Sequence, residues 1–309
     1  MATRMETQML NEAIFEQLAT PGLEKQAADA INEFTRVKMR EDGIYRKVIP
    51  PLNITADDLD RQYFTDKPAK VIDKENDNPP AISIPFGTLP INVYIRGPRY
   101  LVTFDRIVSP RFVKDTVELQ TWVMDIRQVM SDNAIKDMMA EEDSKFFTAV
   151  NAALGGSQGA TNPVSGVVQW QAMGSAISRN SLTESKKIMP STPYHLEAVT
   201  AVTNNVTIKD VEKFGRDEMG GDFSEDLIRQ GWSEKHFLGM DWIITIKRDL
   251  VPDGTVFYFS DPRFIGKNFN LEDTTMYIKK EAFMVEFFAY QTSGGTLGHI
   301  GGLARADFS

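Results

Sequence analysis

Four runs of β-branched and aromatic residues fill most of the chain between residues 241 and 290. They cover 241–248, 255–260, 274–279 and 282–290, and Gly, Pro and Asp residues separate them. Runs of this length and composition are typical of β-strands, and the Asp-Gly pair at 253–254 is a turn signal between the first two. The pattern predicts a closing antiparallel sheet that is built for packing.

Helical periodicity precedes this sheet in two places. Between 8 and 40, apolar residues recur at intervals of three and four, and a Pro-Gly pair divides the stretch into two helices. A stronger pattern covers 116–154, with an N-cap signal at Ser131-Asp132 and a glycine pair at its end. The pattern predicts a long helix over 132–154, whose apolar face is formed by Ile135, Met138, Met139, Phe146, Val150 and Ala153.

Three consecutive acidic residues, Glu141, Glu142 and Asp143, lie on that helix. Carboxylates can act as general acids and bases, so these positions are candidates for catalysis. Consecutive residues on a helix point in different directions, however, and this prevents the three from converging on one substrate. We expect a solvated helix face here.

The segment 44–112 is rich in proline, since nine of the fifteen prolines fall between Pro50 and Pro110. Long helices are excluded there. The strand-like pieces are 46–49, 69–73, 81–85 and 93–104, and the middle two flank the polar stretch 74–80. This arrangement predicts a β-hairpin with a polar tip. Because isolated hairpins are marginal in water, we expect an extended arm that gains its stability by contact with another subunit.

Short elements alternate between 175 and 255. We predict a helix over 181–189, a strand over 194–202 and further helices over 207–214 and 224–230. Helices and strands are therefore mixed in the middle of the chain.

Composition excludes several classes of protein. The chain has no cysteine, which removes disulfides, thiolate zinc sites, iron–sulfur clusters and cysteine nucleophiles. No apolar run approaches the roughly 18–20 residues that span a bilayer, and no apolar signal segment starts the sequence, so we expect folding in the cytoplasm. The net charge of −9 and the scattered basic residues argue against dedicated nucleic-acid binding.

No residues have the spacing of a catalytic, cofactor-binding or metal site. His195, His236 and His299 are far apart in sequence, and each is expected to be a packing or surface residue. There is no phosphate-binding glycine loop. The acidic residues from Asp73 to Asp77 match a calcium loop only loosely, since its required glycine and glutamate do not align.

The order of these elements resembles the major capsid protein of tailed bacteriophages, which has the Hong Kong 97 fold. The resemblance covers nearly the whole chain, and its closest local matches are 135–143 in the long helix and 271–290 in the sheet. It implies an α+β fold with an N-terminal arm (1–43), an extended hairpin called the E-loop (44–112), a peripheral domain (113–174 and 256–309) with a spine helix (132–154), and an axial domain (175–255).

The resemblance also implies a function. The chain would be a structural protein, not an enzyme, that assembles with copies of itself into the pentamers and hexamers of an icosahedral head. Its other partners would be a separate scaffolding protein, a portal and decoration proteins, with packaged DNA held only loosely, no membrane and no cofactor. Assembly would occur in the host cytoplasm, and the product would be the virion. The residues expected at contacts between subunits are Val71, Ile72, Ile82, Ile84, Phe86, Arg36 and Arg40.

Some members of that family form covalent crosslinks through a lysine of the E-loop, and Lys67, Lys70 and Lys74 occupy the matching region. Two other interpretations stay open, and a third is disfavoured. An encapsulin-type nanocompartment shell shares the fold. A β-rich hydrolase would need two carboxylates that face each other at roughly 5–10 Å. A glycan-binding domain would need alternately exposed aromatic residues on a sheet, for which the aromatic residues at 257–259 and 287–290 are too clustered.

Overall fold

The computed structural model describes residues 43–61, 66–75, 81–90, 92, 94, 97–120, 126–214 and 236–309. The predicted helices within 8–40 and 224–230 lie outside these ranges. The α-helices are α1 (Ile44–Val48), α2 (Thr116–Gln120), α3 (Ile126–Ala153), α4 (Arg179–Lys186), α5 (Ile208–Val211) and α6 (Pro262–Ile265). Short 3-10 helices cover Ala56–Asp58 and Ile300–Gly302.

Strands outnumber helices in the described part of the chain. They are β1 (Pro51–Asn53), β2 (Asp60–Arg61), β3 (Pro68–Asp73), β4 (Arg99–Thr103), β5 (Asp105–Val108), β6 (Phe112–Asp115), β7 (Trp170–Ala172), β8 (Thr200–Asn204), β9 (His236–Phe237), β10 (Met240–Thr245), β11 (Thr255–Phe259), β12 (Gly266–Glu281), β13 (Met284–Leu297) and β14 (Leu303–Asp307). The predicted α+β class is confirmed.

The strands form three sheets. The first has the order β1-β12-β13-β5, and β6 also pairs with β13. The second has six strands in the order β7-β14-β11-β8-β10-β9, and the third is the small sheet β2-β3-β4. The prediction of one closing antiparallel sheet was therefore wrong: β10 and β11 lie in the second sheet, whereas β12 and β13 form a hairpin in the first.

The Asp-Gly pair at 253–254 precedes β11 but does not make a hairpin with β10. Strand β8 lies between them, antiparallel to β11 and parallel to β10, with Ala201 opposite both Tyr258 and Trp242. A parallel pair needs a long crossover rather than a tight turn, and a single sequence shows strand lengths but not which strands are neighbours.

Helix α3 confirms the predicted long helix and begins at Ile126, six residues before the predicted start at Ser131-Asp132. Its apolar face packs on the inner face of the first sheet, because alternate residues of a strand point to the same side. The shared core consists of Ala134, Met138, Met139, Ile107, Met276, Ile278, Val285, Phe287 and Ala289.

Every residue of β11 is buried, because this strand lies inside the six-stranded sheet and both faces of the sheet are covered. Val256 and Tyr258 belong to one core, and Phe257 and Phe259 belong to the other. The buried Tyr258 hydroxyl lies 2.6 Å from Ser185 Oγ, and burial raises the pKa of Tyr258 above its ordinary value. A continuous apolar run is what such a doubly covered strand requires.

Two of the predicted strands in the proline-rich segment were wrong. Residues 46–49 belong to or follow helix α1, and residues 81–85 have no regular structure. Strand β3 pairs instead with β4, with Asp73 opposite Arg99 and Ala69 opposite Thr103. Prolines at 79, 80, 85 and 90 lack the backbone N–H that a strand ladder needs, which disfavours pairing close to the tip.

Candidate assembly interface

The β3–β4 hairpin is fixed to the body of the protein at one end. Val102 and Phe104 are buried against Phe269 of β12, and Ile72 and Tyr100 pack around this cluster. Ala69 at the start of β3 is also buried, but exposure rises toward Asp73. The hairpin therefore has a packed base and a solvent-exposed distal end. We call residues 66–105 the hairpin arm.

The described segment 81–90 of the arm is exposed at all ten positions. Within these ten residues the hydrogen bonds join only Thr88 to Pro85. Phe86 and Leu89 are almost fully exposed, at 109% and 90%, and Ile82 and Ile84 expose 58% and 40% of their surface. Large exposed apolar side chains concentrated in one short segment are typical of an interaction site.

Helix α1, which precedes the arm, is held by a buried carboxylate. Asp143 of α3 is 1% exposed and accepts hydrogen bonds from the backbone N–H groups of Ile44 (3.3 Å) and Tyr45 (2.9 Å). Lys247 Nζ donates to the same carboxylate at 2.7 Å. A carboxylate is favourable at a helix N-terminus, where the first backbone N–H groups have no partner within the helix.

A second buried carboxylate lies beside it. Glu142 is 5% exposed and forms a two-pronged ion pair with Arg46, with Nε–Oε2 and Nη2–Oε1 distances of 2.9 and 3.0 Å. Gln291 and Ser293 of β13 donate to Glu142 Oε1. The network therefore ties α1, α3 and β13 together.

The expectation of a solvated face at 141–143 was wrong for two of the three residues, since only Glu141 is exposed. The signal was present in the sequence. Glu142 lies four residues from both Met138 and Phe146, and Asp143 lies four residues from Met139, so both fall on the buried stripe. Arg46 and Lys247 are distant in sequence, and their role could not be inferred from spacing.

Two glycines of β13 allow α1 and the arm to approach the first sheet closely. A Cβ on Gly295 would lie 1.9 Å from the Tyr45 hydroxyl oxygen, and one on Gly294 would lie 2.8 Å from the Thr103 carbonyl oxygen. Beside them is a cavity of about 230 Å³, lined on the α3 side by Glu142 and Phe146. These glycines therefore serve close packing, and they lie within a strand instead of before a helix.

The three histidines have different neighbours in the structure. His236 is exposed, with Nδ1 2.9 Å from Asp241 Oδ1, and His195 is exposed beside the Pro190 carbonyl. His299 is half-buried in the connection between β13 and β14. No group of three or more metal-binding side chains occurs in the described ranges. Nor is any helix described there long and apolar enough to cross a membrane.

The outer face of the β12–β13 hairpin carries an aromatic row. Tyr277, Phe288 and Tyr290 follow one another with ring centroids 4.9 and 6.3 Å apart, and the Arg106 guanidinium lies 5.3 Å from the Tyr290 ring centroid. The expectation that residues 287–290 are too clustered for alternate exposure was wrong, because Phe287 points inward while Phe288 points outward. Residues 257–259 are fully buried, as expected.

No model of a known protein family matches the sequence, and no curated protein matches it. Solved structures do match the fold. A chain from the structure of Microbacterium phage Oxtober96 has a TM-score of 0.60 at 9% identity, over 87% of this chain and 91% of that chain. A chain from the mature capsid of bacteriophage PhiM1 has a TM-score of 0.56 at 8% identity, over 87% of both chains. This chain has the capsid fold of tailed bacteriophages.

The capsid fold extends to other particles. A chain from a virus-like particle of Pyrococcus furiosus has a TM-score of 0.51 at 12% identity, over 91% of this chain and 99% of that chain. At such identities the likeness concerns the fold, and function must be argued from the surfaces of the chain itself.

The structure shows where some of the expected contact residues lie in the chain. Val71 lies exposed on β3, and Ile82, Ile84 and Phe86 lie exposed on segment 81–90. Ile72 is different, because it packs partly against the base of the arm. Arg36 and Arg40 lie outside the described residues. The involvement of all these residues in contacts between subunits stays a prediction.

Proposed function

We propose that the chain is the major capsid protein of a tailed double-stranded DNA bacteriophage. Copies would assemble into pentamers and hexamers and then into an icosahedral head that encloses the genome. The observation that carries this proposal is the hairpin arm. It combines a base packed within the chain with a segment, 81–90, whose apolar side chains are all left in water.

The domain borders belong to this proposal. Residues 44–112 would form the E-loop, and α3 would be the spine helix of a peripheral domain made of 113–174 and 256–309. Residues 175–255 would form the axial domain, and 1–43 the N-terminal arm. The separate cores around α3 and around Trp242 and Tyr258 support a division of this kind.

The exposed side chains of segment 81–90 represent stabilisation that the single subunit does not gain. Fully burying a Phe, Ile or Leu side chain contributes about 1.5–3 kcal/mol. Because four such side chains of segment 81–90 lie in water, the single subunit lacks the stabilisation that their burial would give. Contact with a second copy would supply it. In a closed shell each copy makes the same contact, so a modest gain per contact is repeated across the particle.

The remaining partners follow from the same proposal. A separate scaffolding protein, a portal and decoration proteins would bind the shell, and packaged DNA would meet an acidic chain of net charge −9 that holds it loosely. The protein would reside in the virion after assembly in the host cytoplasm.

A nanocompartment shell is the second candidate, and the likeness to the Pyrococcus furiosus virus-like particle favours it. The contents of the particle separate the two. Packaged DNA supports the head protein, whereas a co-purified enzyme supports the nanocompartment. The hydrolase interpretation gains no support from the buried carboxylates, because Glu142 and Asp143 are each engaged by a cation.

The decisive experiment removes the apolar side chains of the arm. In the variant Ile82→Ser/Ile84→Ser/Phe86→Ser, circular dichroism and thermal unfolding of the subunit should match the wild type, because these side chains are exposed and belong to none of the hydrophobic clusters of the described residues. Sedimentation velocity should show loss of capsomers and shells. The matched control is Val164→Ser, which removes a 60%-exposed apolar side chain outside the arm and should assemble normally.

Two outcomes would contradict the proposal. One is a wild-type chain that sediments as a monomer over a wide range of concentration and salt. The other is an arm variant that assembles with wild-type yield and stability, since that would separate the arm from assembly.

A further inference from the structure

Three other parts of the chain contact the connection between β13 and β14. The backbone N–H groups of Gly298 and His299 both donate to the Ile265 carbonyl, at 2.8 and 3.1 Å. The Tyr100 hydroxyl of the arm lies over Gly298, where a Cβ would come within 3.1 Å of the hydroxyl oxygen. Tyr194, from the segment before β8, packs against the His299 ring of the connection. The connection therefore contacts the arm, the turn before β12 and the segment before β8.

The imidazole of His299 is part of this connection. Its Nδ1 accepts a hydrogen bond of 3.0 Å from the Gly301 N–H, which caps the 3-10 helix Ile300–Gly302. The ring meets Tyr194 edge to face, with centroids 4.3 Å apart and planes at 86°. An acceptor nitrogen must carry a lone pair, so this geometry requires the neutral imidazole with its proton on Nε2.

There is little room for the connection to adjust. A Cβ on Gly301 would lie 2.4 Å from Tyr194 Cδ2 and 2.9 Å from His299 Cε1. Protonation of Nδ1 would replace an acceptor by a donor that faces the Gly301 N–H, and two donors cannot form a hydrogen bond. The cap would have to open.

The charged and titratable groups around His299 come from each neighbouring part. Lys74 at the distal end of β3 is the charged group whose field reaches the imidazole, and Tyr194 and Tyr100 supply phenols. In the described ranges, no carboxylate is seen to pair with His299. Burial lowers the pKa of His299 below its ordinary value, and the Lys74 ammonium lowers it further. Both effects favour the neutral form that the cap requires.

We propose that His299 is an acid-sensitive latch: its neutral ring fixes the β13–β14 connection beneath the arm, and protonation releases both the connection and the base of the arm. The latch is a property of the single subunit, and only its consequence for a shell rests on the proposed capsid function.

The direction of the pH dependence follows from the lowered pKa. A histidine whose folded pKa lies below its unfolded value binds fewer protons in the folded state. The latch is therefore fully closed above the ordinary histidine value of about 6.5 and weakens as the pH falls below it. Because one proton is involved, the opening constant rises by at most about tenfold per pH unit.

Hydrogen exchange of the full-length unassembled subunit tests the latch. Exchange of peptides that cover 97–105 and 298–302 is followed between about pH 7 and about pH 5, after correction for the intrinsic exchange rate. We expect the wild-type opening constant in both peptides to rise by up to about tenfold per pH unit, and H299Q, which stays neutral, to show no rise. H236Q is the matched control: it removes an exposed histidine and should keep the wild-type slope.

The proposal is overturned if H299Q keeps the wild-type slope, or if the wild type shows no slope in these peptides. Should H299Q fail to fold, an NMR titration of the wild type replaces it. The His299 ring should then titrate below about 6.5 together with amide shifts in residues 100–104, and titration at or above 6.5, or without those shifts, rejects the latch. A negative result leaves the capsid proposal standing, since assembly plays no part in either measurement.

Discussion

Segment 81–90 of the arm and strand β11 are both rich in apolar residues, yet their burial is opposite. All five residues of β11 are buried between two cores, whereas all ten residues of 81–90 face solvent. Composition therefore does not decide burial. Strand β11 gains its stability within the chain, and segment 81–90 is arranged to gain it from a partner.

One substitution in each region tests this difference, and we expect the change in β11 to have the greatest effect on stability of all the variants described below. Phe257→Ala in β11 should destabilise the subunit by about 3–5 kcal/mol, because it removes a fully buried ring and leaves a cavity. Phe86→Ala should leave the stability of the subunit unchanged, because that ring is fully exposed in the described part of the chain. Urea unfolding of the unassembled subunit measures both.

When assembly is measured instead of stability, Phe86→Ala should have the larger effect of the two variants. Phe86→Ala is expected to lower the yield of shells, and Phe257→Ala to affect it only through the folded fraction. Equal destabilisation of the subunit by both variants would place segment 81–90 in the core of the chain and refute the comparison.

The two regions also differ in how far the sequence predicts them. The apolar run that became β11 and the periodicity of α3 identify elements directly, because a buried strand and an amphipathic helix each need their own pattern. The partner of β3 could not be read in this way. Residues 81–85 are strand-like and close in sequence, but the chain pairs 69–73 with 99–103 across a proline-rich segment.

The network around Glu142 shows a further limit of prediction from a single sequence. Periodicity along α3 could have shown that Glu142 and Asp143 fall on the buried stripe, but it could not name Arg46, Lys247 or Gln291 as their partners. Those contacts join residues that are 96 to 149 positions apart. Long-range pairing depends on the order of strands in the sheets, which one sequence leaves open.

The second prediction concerns this network. Arg46→Ala should destabilise the subunit by about 3–5 kcal/mol, because it leaves the carboxylate of Glu142 buried without its cation. The matched control is Arg106→Ala, whose ion pair with Glu272 is exposed and should contribute about 0–1 kcal/mol. Chemical unfolding at neutral pH measures the difference.

A double variant makes the cause testable. Arg46→Met/Glu142→Leu removes both charges and should recover a large part of the lost stability, since an apolar pair can replace a buried ion pair at little cost. If the double variant is less stable than Arg46→Ala, the hydrogen bonds from Gln291 and Ser293 matter more than the charges.

Glycines provide a third comparison, between the first sheet and the arm. Gly295→Ala should cost about 1–3 kcal/mol, because the added Cβ would meet the Tyr45 hydroxyl oxygen at 1.9 Å and α1 would have to shift. Gly97→Ala in the arm should be neutral or slightly stabilising, because no heavy atom lies within 4 Å of the point that its Cβ would occupy and its φ is not in the left-handed region. Thermal unfolding measures both, and a loss at Gly97 equal to that at Gly295 would show that the arm is packed within the subunit.

The smallest effect is expected at the rim of the second sheet, beside β11. Asp253 accepts hydrogen bonds from Arg248 Nε at 3.0 Å and from the buried Asn204 Nδ2 at 2.7 Å. The Arg248 hydrogen bond is the main cause that lowers the pKa of this carboxyl below its ordinary value of 3.8, and Asn204 adds to it.

Because the folded pKa is depressed, the contribution of Asp253 to stability is present above 3.8 and is lost as the pH falls through the folded pKa. Asp253→Asn should therefore melt slightly below the wild type at neutral pH, and the gap should narrow as the pH falls below 3.8 towards the folded pKa. The matched control is Asp241→Asn, which removes an exposed carboxyl whose ion pair among the described residues is with His236. A gap between Asp253→Asn and the wild type that persists unchanged in acid would show that the side chain acts through its shape and its bond to Asn204, and that its charge does not stabilise this rim.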